Sequence, residues 1–353
     1  MKRNVVLIPV LVGIAGAIWY LESLKITPGR TSESEAIAVM GREEKAARYE
    51  TAKELVNPSG FINTDPFTLA QYIGQKVILI DFWTYSCINC QRTTPYLNSW
   101  WEKYADDGLL IVGVHTPEFE FEKERENVVR AVEQFGIEYP VVQDNDYAIW
   151  RAYGNRYWPR KYLIDIDGFI VYDHIGEGAY EETEQRIQEA LTERALVLGT
   201  VSEMPVIDST VTATEVDFAR INSPETYFGS ARNSLLGNGT PFAEGEQTLV
   251  IPSEIKKNTL YLGGTWNFSS EFATNETAAA EIRFLFEAKN VYMVASADAP
   301  VTIRVYQDGV FVREIIVFEE QLYQLIENAT YGEHELRIEI ESSGLNAYTF
   351  TFG

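Results

Sequence analysis

The sequence predicts an α/β domain with a central mixed sheet, followed by an all-β domain of sandwich or jelly-roll type, both behind an apolar N-terminal segment. Three observations carry this reading. Apolar runs such as Val77-Ile78-Leu79-Ile80 and Leu109 to His115 have the texture of fully buried strands, and stretches of helical periodicity alternate with them. Beyond residue 225 the texture changes to short alternating runs separated by turn signals. A length of 353 residues is comfortable for two domains, each able to bury its own core.

Lys2 and Arg3 precede an uncharged run from Val5 to Leu21. At about 1.5 Å per residue it reaches across a thin hydrocarbon core, with Trp19 and Tyr20 as interfacial anchors. Residues 1–24 are expected to be a single transmembrane anchor, with the bulk of the chain extracytoplasmic, in the periplasm or at the cell surface. A cleaved signal peptide, with Ala15-Gly16-Ala17 supplying the small residues, is the competing reading, and either one exports the protein. Residues 25–58 are expected to form a linker, with a surface helix over Ser32 to Lys53 that Asn57-Pro58-Ser59-Gly60 ends.

The α/β domain is expected over 59–200. An edge element and a helix over Phe61 to Lys76 lead into the Val77 strand. A helix then runs from Cys90 to about Ala105, closed by Asp107-Gly108. After the Leu109 strand comes a helix over Phe121 to Phe135, with Val128, Val129, Val132 and Phe135 on one face. Val141-Val142-Gln143 is a strand, and Asp146 to Tyr153 a short helix. Lys161 to Asp165 and Phe169 to His174 flank Asp167-Gly168, a strong hairpin signal. Glu181 to Leu198 closes the domain as an amphipathic helix. A linker is expected over 201–225, and the all-β domain over 226–353.

Composition excludes several function classes. The 29 Lys and Arg against 52 Asp and Glu give a net charge of −23, which leaves nothing to displace counterions from a nucleic acid. Three scattered histidines, none paired with the cysteines, leave no zinc or iron site, and no metal is expected.

The chemistry concentrates in one place. The only two cysteines, Cys87 and Cys90, form a C-x-x-C between the end of a buried strand and the start of a helix. At i and i+3 on one helical turn they share a face and can close a small disulfide ring. Cys87, at the helix N-terminus, is placed to attack a substrate disulfide as a thiolate, and Cys90 to resolve the mixed disulfide. No cofactor beyond this redox-active disulfide is expected. Asp81, six residues before Cys87, is either a buried base for Cys90 or a strand-end aspartate hydrogen-bonded to backbone. Trp158-Pro159 is either an ordinary trans bond or a cis proline packed against the cysteines, and its place just before the hairpin favours the second. Trp83, Trp158, Ile88 and Asn89 border this centre and are candidate substrate-positioning residues. Half a zinc site and an inert structural disulfide both fit the pair poorly. A thiol peroxidase is a further reading, since Thr84-x-x-Cys87 mimics a T-x-x-C motif. However, Ile80 stands where a proline would precede it.

These residues carry a resemblance. ILIDFW, the C-x-x-C and Pro95 resemble the thioredoxin pattern, and the extra strand and helix before Trp158-Pro159 resemble the TlpA/ResA branch. FWTYSCINCQR, GVHTPEFEFEK, NRYWPRKYLID and Gly176-Glu177-Gly178 are similar to the C-terminal thioredoxin region of DipZ-type proteins, over about residues 61–198. The resemblance implies a thioredoxin fold with Cys87 and Cys90 as redox pair, Asp81 as buried acid and Pro159 as cis proline. Ile88-Asn89 stands where thioredoxins have Gly-Pro, so the reduction potential is not transferable. A multi-helix electron-carrying membrane domain found in some DipZ-type proteins is not in this sequence, so a separate membrane electron donor or acceptor is expected.

In the second domain, Ser223 to Gly229 and Ala347 to Gly353 resemble the carbohydrate-binding-module-like domain of DipZ-type proteins. Tyr227, Tyr261 and Trp266 are either sugar-stacking or core aromatics. The expected function is a membrane-anchored, extracytoplasmic thiol-disulfide oxidoreductase. It acts on exported cysteine-containing proteins, with the lean toward a reductant. The alternatives are a surface carbohydrate- or protein-binding protein with an accessory redox domain, and the thiol peroxidase.

Overall fold

The computed structural model describes residues 40–200, 207, 211 and 216–353. The anchor expected over 1–24 and most of 201–215 lie outside them. Among the described residues no helix is long and apolar enough to cross a membrane. Helix α1 (Arg42–Arg48) is the described part of the helix expected over Ser32 to Lys53. That helix does not continue to Lys53. Thr51 instead bridges Phe169, and the Ala52 amide donates to the Gly168 carbonyl at 3.0 Å. The tip of a hairpin offers these backbone groups partners that a further helical turn would have had to find internally. Leu55 is buried a few residues on, so this stretch, expected to be linker, adds to the α/β core.

Six strands form the first sheet: β1 (Gly60–Ile62), β2 (Val77–Trp83), β3 (Leu109–His115), β4 (Val141–Gln143), β5 (Arg160–Ile164) and β6 (Ile170–Ile175). Their spatial order is β1-β4-β3-β2-β5-β6. The β4-β3-β2 centre is parallel, while β1, β5 and β6 run antiparallel to their neighbours. Every residue of β2 is buried, and Val77 to Ile80 are fully excluded from solvent. Both faces of a central strand are covered, so its sequence is a continuous apolar run rather than an alternation. Each such side chain stabilises by about 1.5–3 kcal/mol when fully buried. Val77 and Leu79 face a core that also holds side chains of α2 (Ile88–Tyr104), α3 (Arg125–Gln134) and α5 (Tyr180–Leu198); Ile78, Ile80 and Phe82 face a second one with Ile149 of α4 (Ala148–Ala152).

The helix expected over Phe121 to Phe135 is split. A 3-10 turn, Glu120–Lys123, precedes α3, and Glu124 between them is extended, with φ −66° and ψ 121°. The cause is Glu122. Its carboxylate turns back to accept the Phe119 amide at 3.0 Å and the Ser86 hydroxyl at 2.6 Å, which fixes the turn before α3 begins.

The remaining strands are β7 (Thr226–Tyr227), β8 (Gly245–Leu249), β9 (Leu260–Phe268), β10 (Ala273–Asn275), β11 (Ala280–Ala297), β12 (Val301–Gln307), β13 (Val310–Val317), β14 (Gln321–Ile340) and β15 (Leu345–Phe352). They hydrogen-bond into one continuous nine-stranded sheet, antiparallel throughout. The runs expected separately at Glu281 to Phe286 and Val291 to Ala295 belong to one strand, β11, with bulges between Ala288 and Asn290 and between Val291 and Tyr292. The first of these reverses which parity faces inward, at Lys289 and Asn290, whose amides both donate to the Gly353 carbonyl. Before it Ile282, Phe284, Phe286 and Ala288 enter the core of this region; after it Val291, Met293, Ala295 and Ala297 do.

Val294 of β11 and Tyr348 of β15 are thereby left on the other face, where they join the core of the α/β domain. The Tyr348 ring meets Phe119 at 5.1 Å and Phe121 at 4.9 Å, near-perpendicular to the second. Arg48 to Gly353 is accordingly one compact unit. Trp266 is fully buried and Tyr261 nearly so, which makes both core aromatics rather than stacking platforms.

Candidate redox site

The site begins where β2 leaves the sheet. The Trp83 carbonyl accepts from the Thr116 amide, and the Cys87 amide donates to the Thr84 carbonyl at 3.4 Å, closing a turn. Cys87 then caps α2, with an extended backbone (φ −81°, ψ 116°) and its Sγ accepting from the Cys90 amide at 3.4 Å. An N-cap side chain that takes an otherwise unpaired helix-start amide is a common device, and here the capping atom is a nucleophile. Both cysteines are free thiols; Cys87 is half-buried and Cys90 is buried. Access therefore separates the two sulfurs, with Cys87 the one an incoming disulfide can reach.

Burial pushes the Cys90 thiol well above its ordinary range. Contact with Cys87 and the nearby Asp81 carboxylate add to the effect. Asp81 lies behind it in the middle of the sheet, paired in register with Gly113 of β3 and Lys161 of β5. Its carboxyl is raised to about 7, first by burial, with the Lys161 charge opposing. Its Oδ1 is buried without a hydrogen-bond partner. Lys161 is fully buried and its own pKa is lowered by burial, against the pull of Asp81 and Cys90. Its ammonium donates to the Gly176 carbonyl at 3.4 Å. A buried acid with a carboxyl near 7 can hold or release a proton in the neutral range, which is what resolution by a raised thiol requires.

Trp158-Pro159 is a cis peptide. Pro159 is buried directly before β5, and Arg160 pairs with Phe82, so the proline sits at the same sheet end as the cysteine turn. The Trp158 indole donates to the Thr116 carbonyl at 3.0 Å and its ring lies 4.3 Å from Trp150.

A cleft of about 440 Å3 opens at Cys87. Asn89 and Trp158 line it beside the cysteine, and Tyr227, Thr349 and Thr351 form part of the opposite, β-rich wall. Of the four expected substrate-positioning residues, Asn89 and Trp158 are thus at the cleft. Trp83 and Ile88 are not among its lining residues. Trp83 is 3% exposed and set edge-on against His115 at 5.1 Å, and Ile88 is 7% exposed inside the first turn of α2. Both side chains are packed inward, and the α2 geometry turns Ile88 inward where Asn89 stays accessible. Asn89 is held by Arg92, which donates to its Oδ1 at 2.7 Å while gripping Glu177 through two bonds of 2.7 and 2.8 Å.

Sequence reasoning missed three supports. Lys161 read only as a charge within a strand. Glu122 read as one acid among several; its carboxyl is raised to about 7 by burial, against its bonds to Ser86 and Thr84. Glu118 ties the loop after β3 to the β-rich region, accepting from Arg232 at 2.7 Å and from the Tyr227 hydroxyl at 3.0 Å. The one signal for these was that they fall within the blocks KYLID and HTPEFEFEK.

A family model described as AhpC/TSA family matches residues 50–173, and one described as Thioredoxin like C-terminal domain matches residues 223–353. Protein DipZ of Mycobacterium tuberculosis is 36% identical over 306 residues, which are 86% of this chain and 43% of DipZ. The chain therefore spans less than half the length of that relative. Thiol-disulfide oxidoreductase YkuV of Bacillus subtilis is 31% identical over 140 residues, 40% of this chain and 93% of YkuV. Thiol-disulfide oxidoreductase ResA of Bacillus thuringiensis is 32% identical over 109 residues, 31% of this chain and 60% of ResA.

Proposed function

Because the chain belongs to the thioredoxin-like thiol-disulfide oxidoreductases of the TlpA/ResA/DipZ type, we propose that it exchanges a Cys87-Cys90 dithiol with disulfides of exported proteins, working as a reductant. The observation that carries this is the asymmetry of the pair: an accessible Cys87 capping α2 and a buried Cys90 in front of Asp81. The Cys87 thiolate attacks one sulfur of the substrate disulfide; a Cys87-substrate bond forms, and the other substrate sulfur leaves as a thiolate. Cys90 gives its proton to Asp81 and attacks the Cys87 sulfur. The Cys87-Cys90 disulfide forms and the first substrate sulfur departs. Two electrons pass from the dithiol to the substrate; the leaving thiolates take up protons from solvent, and Asp81 releases to solvent the proton it took from Cys90. Pro159 and Trp158 bound the place where the substrate sulfur docks.

A dithiol donor must then reduce the disulfide again, and a separate membrane protein fits that role. Retention at the membrane by the Val5 to Leu21 segment, with the remainder extracytoplasmic, belongs to the same proposal. The β-rich region is taken as a β-sandwich that serves the redox site rather than as an independent sugar-binding module, since Trp266 and Tyr261 are buried.

Dithiothreitol-driven insulin reduction tests the proposal. Wild type is expected to be active, Cys87→Ser inactive, and Cys90→Ser to accumulate a mixed disulfide visible on non-reducing gels. Equal activity in wild type and Cys87→Ser would sink it. The AhpC/TSA match keeps a thiol peroxidase as second reading. Hydrogen peroxide consumption that depends on Cys87 and outpaces insulin reduction would favour that one.

A further inference from the structure

The cleft at Cys87 has two different walls. One belongs to the α/β domain and carries Tyr157 and Trp158; the other comes from the chain entering the β-rich region and carries Phe218 and Ile221. Tyr157 is 49% exposed and Phe218 52%. Large apolar side chains scattered singly on a surface need no explanation, but these two line the same cleft as the nucleophilic sulfur. Phe218 belongs to a short 3-10 turn, Phe218–Arg220, that Asp217 caps by accepting from the Ala219 amide at 3.1 Å. The ring is thus presented by a defined backbone. The charged groups at the cleft are Glu118, Glu225, Arg156 and Arg232, two of each sign, and Glu118 and Arg232 are paired at 2.7 Å. Among the described residues these charges balance, and Tyr157, Trp158, Phe218 and Ile221 are the large apolar groups that a ligand meets there.

We propose that this cleft binds an extended peptide segment in which the reacting cysteine is flanked by an apolar side chain, held between Tyr157 and Phe218. This rests on the redox reading of Cys87 and names its substrate class. Cysteines with apolar flanks are ordinarily buried once a protein has folded. The cleft therefore selects chains that are still unfolded, and a half-buried sulfur between two walls is reached by an extended strand rather than by a rigid surface.

The test uses the full chain and two linear ten-residue peptides, identical except that the cysteine is flanked by leucines or by serines. Each carries its cysteine as a mixed disulfide with thionitrobenzoate. Attack by Cys87 joins its sulfur to the peptide and releases the coloured thiolate. Wild type is expected to favour the leucine peptide about tenfold or more in kcat/KM, expressed in KM. This is the order of effect expected when one apolar side chain leaves water. Phe218→Ala and Tyr157→Ala should each cut the preference to about threefold or less, and Phe218→Leu should restore most of it. Both positions are exposed, so the fold should tolerate the changes, and circular dichroism checks this. Peptides with serine in place of the cysteine read the cleft without chemistry, and their dissociation constants should show the same order. Equal kcat/KM for the two peptides in wild type, or a preference that survives Phe218→Ala, overturns the proposal while leaving the redox reading intact. Colour release that is equal in wild type and Cys87→Ser overturns the redox reading instead, and the serine peptides then still decide whether the cleft prefers apolar flanks.

Discussion

The Asp81 carboxyl sets a stability cost that activity justifies. In an unfolded chain an aspartate titrates near 3.9, and in the folded protein burial raises Asp81 to about 7. Below about pH 4 the group is neutral in both states and costs nothing. Between about 4 and 7 the unfolded state ionises while the folded state holds its proton, so stability falls as pH rises. Above 7 the loss reaches about 4 kcal/mol. Asp81→Asn is therefore expected to raise the urea midpoint at pH 8, with the gain vanishing below pH 4. The same variant should slow release of substrate from the Cys87 mixed disulfide at least tenfold at pH 7, measured by stopped flow. A midpoint gain that is the same at both pH values would refute the assigned cause. Lys161 keeps the carboxyl from rising further, and is itself held by the Gly176 carbonyl.

Strands β2 and β3 place Gly113 beside Asp81 in register. A Cβ at Gly113 would lie 3.0 Å from the Trp83 indole nitrogen, 3.1 Å from the Tyr139 ring and 3.4 Å from Val141. The close approach explains why Trp83 packs into the sheet rather than facing substrate. Gly113→Ala is expected to destabilise by about 1–3 kcal/mol in chemical denaturation, the usual cost of overpacking. Because Trp83 leads directly into the cysteine turn, the variant should also lower insulin reduction; a stable and fully active Gly113→Ala would show that the contact yields. The loop after β3 has a comparable office: Glu122 fastens it to Ser86, immediately before Cys87, while Glu118 fastens it to Arg232 and Tyr227.

Across Arg48 to Gly353 the two regions share an apolar core in addition to polar contacts such as those of Glu118 with Arg232 and Tyr227. Tyr348 lies against Phe119, Phe121 and Phe272, and Val294 joins the same cluster. Truncation of a buried aromatic costs about 3–5 kcal/mol. Tyr348→Ala should lower stability by that order and, more tellingly, split one unfolding transition into two, read by calorimetry. A single transition in the variant would mean that the coupling runs through other contacts. The shared core also keeps the second wall of the cleft in place over Cys87, so Tyr348→Ala should weaken peptide selection without altering any residue that lines the cleft.

What a local pattern can carry was legible in the sequence. The continuous apolar run of β2 and the periodicity of α3 and α5 marked a layered α/β domain, because strand and helix periods differ. Asp167-Gly168 marked the hairpin of β5 and β6. The place of the two cysteines at a helix start was legible from their spacing, and the cis bond at Pro159 from its place before that hairpin. The split before α3, the end of α1 and the union of two short runs into β11 were not legible, since each depends on a partner distant in sequence: Ser86 for Glu122, Gly168 for Ala52, β14 and β15 for β11. The same holds for the site. Composition and spacing by themselves determined a redox pair at a helix start. Only the tertiary structure decided that Lys161 stands beside Asp81, that Trp83 and Ile88 are buried, and that Cys87 opens into a cleft whose far wall comes from the β-rich region. Charge pairing, burial and clefts are made between segments that chain order does not bring together, whereas helix-start geometry and strand burial are written into consecutive residues.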